Sequence, residues 1–225
     1  MIIYTAVNEN INREVFERIL RLVSGQKQRK VFGYYKDIDR KLSLYSEVVV
    51  RLLACKILGI RNNEINFGKG KFGKPYIKNF QSFYFNVSHT RNAIAVAVSD
   101  MEVGVDIEVV RRDEHDIAER FFTASEFNYI YNGNIGKEKR FFEIWTKKEA
   151  YIKYVGKGLT IPLNSFSVVN GKPDLEFFVT EIDDYIISVC RKKNTNFMPV
   201  LKLNEKDLVK RALTLENISM DFLWF

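Results

Sequence analysis

The segment Val103-Gly104-Val105-Asp106-Ile107-Glu108 carries the pattern that decides the fold. Its apolar residues alternate with Gly104, Asp106 and Glu108, and alternation with a period of two is typical of a β-strand. The two carboxylates therefore project from one face of an otherwise apolar strand, with their roots roughly 7 Å apart. That separation suits two ligands of one hard cation. The alternative is a solvated outer face of the sheet, which is the commoner arrangement for a lone Asp-x-Glu.

Downstream of this strand, residues 137–155 have the periodicity of a helix. On a wheel at 100° per residue, its apolar stripe consists of Phe141, Trp145, Ile152 and Val155. Glu149 falls on the same buried side, where a carboxylate needs a cation or strong hydrogen-bond donors. An intrahelical ion pair between Glu149 and Lys153 is the alternative, and both interpretations stay open on the sequence alone.

Upstream, Phe83–Val87 and Ala93–Val98 have the composition of two paired strands. The first runs into Ser88-His89-Thr90, and hydroxyls and an imidazole at a strand end suit phosphate oxygens. A nucleophilic Ser–His pair is disfavoured, because adjacent strand residues point to opposite faces and no nucleophile elbow is present. A hydrogen-bonded structural histidine is the alternative for His89.

The remaining elements follow from periodicity and from cap residues. Helices are predicted from Asn12 to about Val23, from about Asp39 to Leu58 with Gly59 closing it, and over Ile117–Tyr131; strands over Met1–Val7, Phe166–Val169, Leu175–Val179 and Tyr185–Cys190; and a loop over Phe67–Lys74. This order predicts an α+β chain with two comparable halves, residues 1–103 and 104–225.

The charge balance points to an anionic partner. There are 35 Lys and Arg against 28 Asp and Glu, a formal net charge of +7. Such an excess favours nucleic acid, a phosphorylated cofactor or an acidic protein, unless it only keeps the surface soluble. Lysines among glycines, as in 69–76, can approach a polyphosphate closely. The absence of Walker A and GxGxxG patterns disfavours a nucleoside triphosphatase or a dinucleotide fold, and the dispersed lysines disfavour nucleic-acid binding.

The sequence also predicts a cytoplasmic protein. No run approaches the ~18 apolar residues of a membrane span, and Met1–Val7 lacks the basic region of a signal peptide. Cys55 and Cys190 lie in apolar stretches and are expected to be buried, reduced thiols rather than a disulfide.

Five segments, taken together and in order, resemble the surfactin-synthetase-type 4′-phosphopantetheinyl transferases. They are Phe-Gly-Lys-Pro-Tyr (72–76), Phe-Asn-Val-Ser-His-Thr (85–90), Val-Gly-Val-Asp-Ile-Glu (103–108), Arg-Phe-Phe-Thr-Ala-Ser-Glu (120–126) and Trp-Thr-Lys-Lys-Glu-Ala-Tyr-Ile-Lys-Tyr-Val-Gly-Lys-Gly-Leu (145–159). The likeness extends from about residue 1 to 190.

This resemblance implies two similar α/β halves related by pseudo-twofold symmetry, with the active site in the cleft between them. Mg²⁺ would be held by Asp106, Glu108 and Glu149. The coenzyme A site would be lined by Lys27, Lys30, Lys74, Pro75, Ser88, His89 and Lys153. The catalytic residues would be Lys153, which neutralises phosphoryl charge, and a general base, either Glu149 or Glu126.

The implied reaction moves the phosphopantetheine arm of coenzyme A to a serine of an apo carrier protein (acyl, peptidyl or polyketide), releasing 3′,5′-bisphosphoadenosine. The implied partner is an acidic carrier bound transiently by a monomer, with no role for nucleic acid or a membrane. The helix over Ile117–Tyr131 and the loop Asn132–Gly136 are the expected docking edge, unless that loop is a simple connection. Where the family has an arginine this chain has Leu42, with Arg40 and Lys41 nearby.

Two other classes of protein remain as alternatives. A metal-dependent phosphodiesterase or nuclease would use the same acids and lysines without a carrier protein. A non-catalytic basic binding module would tolerate the loss of all three acids.

Overall fold

Groups of consecutive helices and groups of consecutive strands follow one another along the chain in a computed structural model that describes residues 1–112, 115–132, 136–193 and 198–216. The strands are β1 (Ile2–Ala6), β2 (Phe67–Lys69), β3 (Pro75–Ile77), β4 (Tyr84–Thr90), β5 (Ala93–Ser99), β6 (Val103–Val109), β7 (Leu175–Ile182), β8 (Tyr185–Lys192) and β9 (Val200–Lys202). The helices are α1 (Arg13–Leu20), α2 (Gly25–Phe32), α3 (Asp37–Leu58), α4 (His115–Phe121), α5 (Ala124–Tyr131), α6 (Lys137–Val155) and α7 (Glu205–Thr214). The chain is α+β, as predicted.

Two main sheets lie face to face. The first has the strand order β4-β5-β1-β9, in which β1 pairs antiparallel with β5 and parallel with β9. The second has the order β6-β8-β7 and is antiparallel throughout. Ile2 and Tyr4 of the first sheet and Val105 and Ile107 of the second share one buried cluster between the two sheets. The alternation along β6 thus directs its apolar residues to this interface.

Helices cover the outer faces. The buried side of α3 packs with α1, α2 and α7 over the first sheet, whereas α4, α5 and α6 form a separate apolar cluster with the second sheet. Burying a Leu or Ile side chain contributes about 1.5–3 kcal/mol, so the fully buried Leu44, Leu53 and Ile144 hold these helices in place. Two edge strands of different sheets, β4 and β6, come together between the helical layers.

Most predicted elements are confirmed. Asn12 caps α1 by accepting the Val15 N–H, α3 ends at Gly59 with φ of 65°, and α6 has the predicted bounds. The strands predicted at 83–87, 93–98 and 103–108 are present, and both cysteines are buried and free. No helix within the four described ranges is long and apolar enough to cross a bilayer.

Three predictions of local structure were wrong. Phe67–Lys69 is a strand, because Phe67 packs edge-on against Phe85 and pairs with Ile77 across a tight turn. Phe166–Val169 is not a strand, since the Phe166 carbonyl accepts a hydrogen bond from Lys148. The helical stretch 117–131 is broken at Thr123, which caps α5.

Candidate active site

The candidate site lies along the seam between β4 and β6. Three alternate side chains of β4 bond to β6: the Asn86 Oδ1 accepts the Val105 N–H at 2.9 Å, the Ser88 hydroxyl donates to Asp106 Oδ1 at 2.8 Å, and the Thr90 hydroxyl donates to Glu108 Oε2 at 2.9 Å. The period of two along both strands makes this repeated pairing possible. It fixes the positions of both carboxylates predicted from the sequence.

Lys153 reaches the same seam from α6. Its ammonium donates to Asp106 Oδ1 at 2.6 Å and to Ser88 Oγ at 2.9 Å. This approach requires Gly104, because a Cβ there would collide with the Ala150 carbonyl oxygen and the Tyr154 amide nitrogen of α6. A glycine on β6 therefore lets helix and strand touch, and Lys153 meets Asp106 as a result.

The three acids act on one another electrostatically. Burial raises the pKa of Glu149, and the charges of Asp106 and Glu108 add to that rise while Lys153 opposes it. Burial and Asp106 likewise raise the pKa of Glu108, against the Thr90 hydrogen bond and the charges of Arg111 and Lys153. Neighbouring carboxylates disfavour one another's ionised form. The site thus concentrates negative charge that a bound cation would relieve.

The residue types fit a hard cation. Asp106 is buried, and its Oδ2 atom has no hydrogen-bond partner, although Oδ1 receives two. Such an orphaned acceptor costs free energy unless a cation or donor reaches it, and carboxylate oxygens are the ligands that Mg²⁺ prefers. Within the described residues, no three acidic, His or Cys side chains form a ready ligand cluster. Asp106, Glu108 and Glu149 fit by their chemistry rather than by a preformed geometry.

A second group of predicted residues forms a positive region next to the seam. Desolvation lowers the pKa of Lys27 to about 8, and Lys30 is among the cations that contribute to this lowering. The charge of Glu47 opposes it, with the Glu47 Oε2 atom 3.8 Å from the Lys27 ammonium. Desolvation also lowers the pKa of His89, and the positive charges of Lys153, Lys27 and Lys30 lower it further. The structure therefore brings Lys27, Lys30 and His89 into one electrostatic field with Lys153.

Lys74 and Pro75 line a neighbouring cleft of about 640 Å³. The cleft lies between the β2–β3 hairpin, the start of β4 and the end of α6, and its aromatic lining is Tyr76, Phe80, Phe83, Tyr84, Phe85 and Tyr154. The Lys74 ammonium pairs with Glu102 at 2.6 Å rather than projecting into open solvent. These two residues thus border the cleft but do not join the carboxylate seam.

Glu126 lies in a separate buried network. Its carboxylate pairs with Lys148 at 2.8 Å, and both side chains are fully buried. It also accepts the Thr123 N–H and hydroxyl and the Val168 N–H, and with Thr123 it completes the capping box of α5. The structure does not bring Glu126 to Asp106, Glu108 and Glu149.

Two cations immediately precede Leu42, Arg40 and Lys41, and both have partners within the protein. Leu42 is buried in the core, and the Lys41 ammonium is buried against Glu205 of α7 at 2.6 Å. Arg40 donates to the Tyr34 carbonyl and pairs with Asp37. Of the predicted docking loop, residues 133–135 lie outside the described part of the chain.

Sequence reasoning named Thr90 among the hydroxyls at the strand end but did not predict its bond to Glu108, and it did not predict the role of Gly104. The alternation that selected Ser88 extends two residues to Thr90, so that signal was present. The contact between Gly104 and α6 carries no local signal, because it depends on a helix some 45 residues further along the chain.

Comparisons with known proteins identify the family to which the chain is similar. One family model, "4′-phosphopantetheinyl transferase, N-terminal", matches residues 10–102, and another, "4′-phosphopantetheinyl transferase superfamily", matches residues 102–195. The chain is 36% identical to the 4′-phosphopantetheinyl transferase gsp of Aneurinibacillus migulanus, over 73% of this chain and 69% of that protein. It is 35% identical to a 4′-phosphopantetheinyl transferase of Bacillus subtilis, over 68% of each.

A solved structure, the holo-[acyl-carrier-protein] synthase of Thermotoga maritima, aligns at 22% identity and a TM-score of 0.34, over 40% of this chain and 61% of that one. That superposition is too loose to carry an argument.

Proposed function

The chain belongs to the 4′-phosphopantetheinyl transferase superfamily, and on that premise we propose how its residues transfer phosphopantetheine from coenzyme A to a carrier protein. The observation that carries the proposal is the bonded cluster of Ser88, Asp106 and Lys153, in which one Asp106 oxygen is buried without a partner. A phosphoryl group and a cation are the chemical partners that a lysine, a hydroxyl and an orphaned carboxylate oxygen can hold together.

Asp106, Glu108 and Glu149 are the proposed ligands of Mg²⁺. When bound, the ion supplies charge neutralisation at the pyrophosphate of coenzyme A. The raised pKa of Glu149 and Glu108 supports this assignment, because a cation relieves the mutual repulsion that raises it. All three acids come from β6 and α6 of one chain, which supports a monomer as the working unit.

Lys153 and Ser88 are proposed to hold the pyrophosphate. In the reaction, the carrier serine hydroxyl forms a bond to the β-phosphorus, and the bond from that phosphorus to the oxygen bridging the two phosphates breaks. The electron pair leaves with 3′,5′-bisphosphoadenosine, and the Lys153 ammonium stabilises the charge that develops on the phosphates. Its position against Asp106 Oδ1 and Ser88 Oγ keeps it oriented before substrate arrives.

Glu149 is the proposed general base for the serine proton, directly or through water. Its carboxylate lies within electrostatic reach of Asp106, Glu108 and Lys153, the groups that are proposed to hold the ion and the pyrophosphate. Glu126 is the weaker candidate, because its oxygens are occupied by Lys148, Thr123 and Val168 in the core. We assign Glu126 a structural role.

Lys27, Lys30 and His89 are proposed to bind the 3′-phosphate of coenzyme A. The proposal is supported by the lowered pKa values of Lys27 and His89: the charge of Lys30 contributes to both shifts, and the charge of Lys27 contributes to that of His89, which puts the three groups in one positive region. Pro75, on the border of the aromatic cleft, is proposed to contact the same substrate. Lys74 is considered separately below.

The test is transfer itself. Incubation with coenzyme A, Mg²⁺ and a panel of apo carrier proteins should add the mass of one phosphopantetheine to a carrier, and EDTA should abolish the gain. Asp106→Asn should lose transfer, with Asp174→Asn, an exposed acid outside the site, as the matched control.

Carrier-independent hydrolysis of bis(4-nitrophenyl) phosphate or DNA would instead favour a phosphodiesterase. Full transfer by Asp106→Asn would exclude Asp106 as a metal ligand. Full transfer by variants of all three acids would mean that the catalytic centre lies elsewhere in the protein.

A further inference from the structure

The Lys74 ammonium already has three acceptors. Its Nζ donates to Glu102 Oε2 at 2.6 Å, to the Val103 carbonyl at 3.1 Å and to the Tyr154 carbonyl at 3.3 Å. A lysine ammonium has three donors, so its hydrogen-bonding capacity is used within the protein. A phosphate could accept a hydrogen bond from this ammonium only by displacing one of those three acceptors.

The acceptors belong to the two elements that carry the acidic cluster. Val103 is the first residue of β6, which bears Asp106 and Glu108, and Glu102 immediately precedes it. Tyr154 is the penultimate residue of α6, which bears Glu149 and Lys153. The Tyr154 carbonyl is one of the last four of the helix, which have no intrahelical partner. A cation at a helix C-terminus also interacts favourably with the helix dipole.

Close backbone packing surrounds this lysine. The chain of α6 contacts β6 directly at Gly104, where any Cβ would collide with the helix backbone. At Gly156, which ends α6 with φ of 70°, an added Cβ would lie 3.3 Å from Lys74 Cδ. The side chain of Lys74 is only 20% exposed, so its stem packs at the end of the helix.

We propose that Lys74 is a positioning residue: it clamps the start of β6 to the end of α6 and so sets the distance between Asp106 and Lys153. Its side chain does not ligate a phosphate of coenzyme A. The proposal rests on the proposed function only for the identity of the reacting groups; the clamp itself rests on the three hydrogen bonds and the packing at Gly104 and Gly156.

Glu102→Gln separates the two roles by the sign of its effect. If Lys74 ligates phosphate, removing the Glu102 charge frees the ammonium, and coenzyme A should bind more tightly. If Lys74 is a clamp, the same change loosens the clamp, so that turnover falls while affinity for coenzyme A stays unchanged. Glu102 is exposed, so we expect Glu102→Gln to fold like wild type.

The experiment compares Lys74→Met, Glu102→Gln and the double variant with wild type, with Lys71→Met, an exposed lysine of the same turn, as the control. Calorimetry gives the Kd of coenzyme A at several salt concentrations without metal, and transfer kinetics give kcat and KM. Hydrogen exchange reports on the amides of residues 150–156. We expect Lys74→Met to lower kcat about 10-fold or more, since misplacement by 1 Å can cost about 100-fold.

The clamp also predicts an unchanged Kd and salt slope in Lys74→Met, faster exchange at the end of α6, and a double variant no worse than Lys74→Met. A weaker Kd with a shallower salt slope in Lys74→Met, or tighter binding by Glu102→Gln, would overturn the proposal. Wild-type protein that fails to transfer would count against the proposed function alone. Wild-type kcat in Lys74→Met would count against the clamp alone.

Discussion

Lys27 illustrates how burial tunes a single charged group for ligand binding. Its ammonium is largely desolvated beside Glu47, and its pKa is lowered to about 8. In free protein it therefore starts to lose its proton within the range of ordinary assays. A phosphate that binds there favours the charged form, so that binding and protonation are linked.

This linkage predicts a pH dependence of coenzyme A affinity. Above about pH 8, Lys27 is neutral in the free protein, and binding the 3′-phosphate must take up a proton. The Kd of coenzyme A should therefore rise with pH above this value, by up to about tenfold per unit. Calorimetry between pH 7 and pH 9.5 measures this rise of the Kd with pH. Lys27→Met should flatten it, whereas Lys36→Met, at an exposed lysine, should not.

Dephospho-coenzyme A supplies the control, because it carries the same thiol but lacks the 3′-phosphate. Its Kd should change little over the same range. An equal rise of the Kd for both ligands would remove Lys27 from the 3′-phosphate.

Much of the site was predictable at this scale, because strand alternation selects Asp106 and Glu108 and the wheel of α6 selects Glu149. What the sequence could not predict is which partner each group finds. Glu126 and Glu149 are both acids near apolar helix faces, yet one pairs with Lys148 in the core and the other joins the seam. Such pairings depend on contacts between distant segments.

Among the elements, α5 and α6 are joined by the buried pair of Glu126 and Lys148. The same lysine donates to the Leu163 and Phe166 carbonyls, so it also fixes the segment that follows α6. Removing one member of a buried pair leaves an unpaired charge and costs about 3–5 kcal/mol. The pair thus holds together the helical layer behind the second sheet.

Glu126→Gln is therefore expected to lower the free energy of unfolding by about that amount, measured by urea denaturation. The double variant Glu126→Gln/Lys148→Met should recover part of the loss, because no charge is left unpaired. Glu64→Gln, at the exposed pair with Arg61, is the control and should cost much less than Glu126→Gln. Folded Glu126→Gln protein should keep transfer activity; a loss of about 100-fold or more at unchanged stability would make Glu126 the base instead.

The limits of sequence reasoning are clear at the scale of elements. Long periodic segments such as α3 and α6 were predicted nearly to the residue, because twenty residues of pattern outweigh any local ambiguity. The three-residue strands β2 and β3 offer no such pattern, and their pairing depends on a turn at Gly73 with φ of 87°. Short strands are defined by their partners.

At the scale of the whole molecule, the end of the described chain returns to its beginning. The strand β9 pairs in parallel with β1, and α7 packs on α1 and α3. Glu205 of α7 binds Lys41 and the Asn8 N–H, so the return is held by polar contacts as well as by Leu208 in the core. No local pattern encodes such a return. The division into halves 1–103 and 104–225 stays a prediction.

The net charge of +7 belongs to the whole molecule, and it predicts how the carrier protein is met. An acidic carrier should be drawn to this protein by long-range attraction, which acts mainly on the rate of encounter. Salt shortens the reach of that attraction from about 10 Å at 0.1 M to about 3 Å at 1 M. Raising the ionic strength should therefore raise the KM for the carrier and leave kcat nearly unchanged, because the bound complex reacts in the same geometry.

The measurement must hold coenzyme A at saturation at every salt concentration, since Lys27 and Lys30 are proposed to bind its phosphate and are screened as well. Sucrose at matched osmolality controls for solvent effects that do not involve charge. A carrier protein whose acidic residues are neutralised is the control, because it removes the charge attraction without any change to this protein. The KM for this neutralised carrier should be high at low salt and should change little as salt is added. A KM for the acidic carrier that does not change with salt would mean that apolar contacts hold the carrier, and that the positive charge of the chain serves coenzyme A alone.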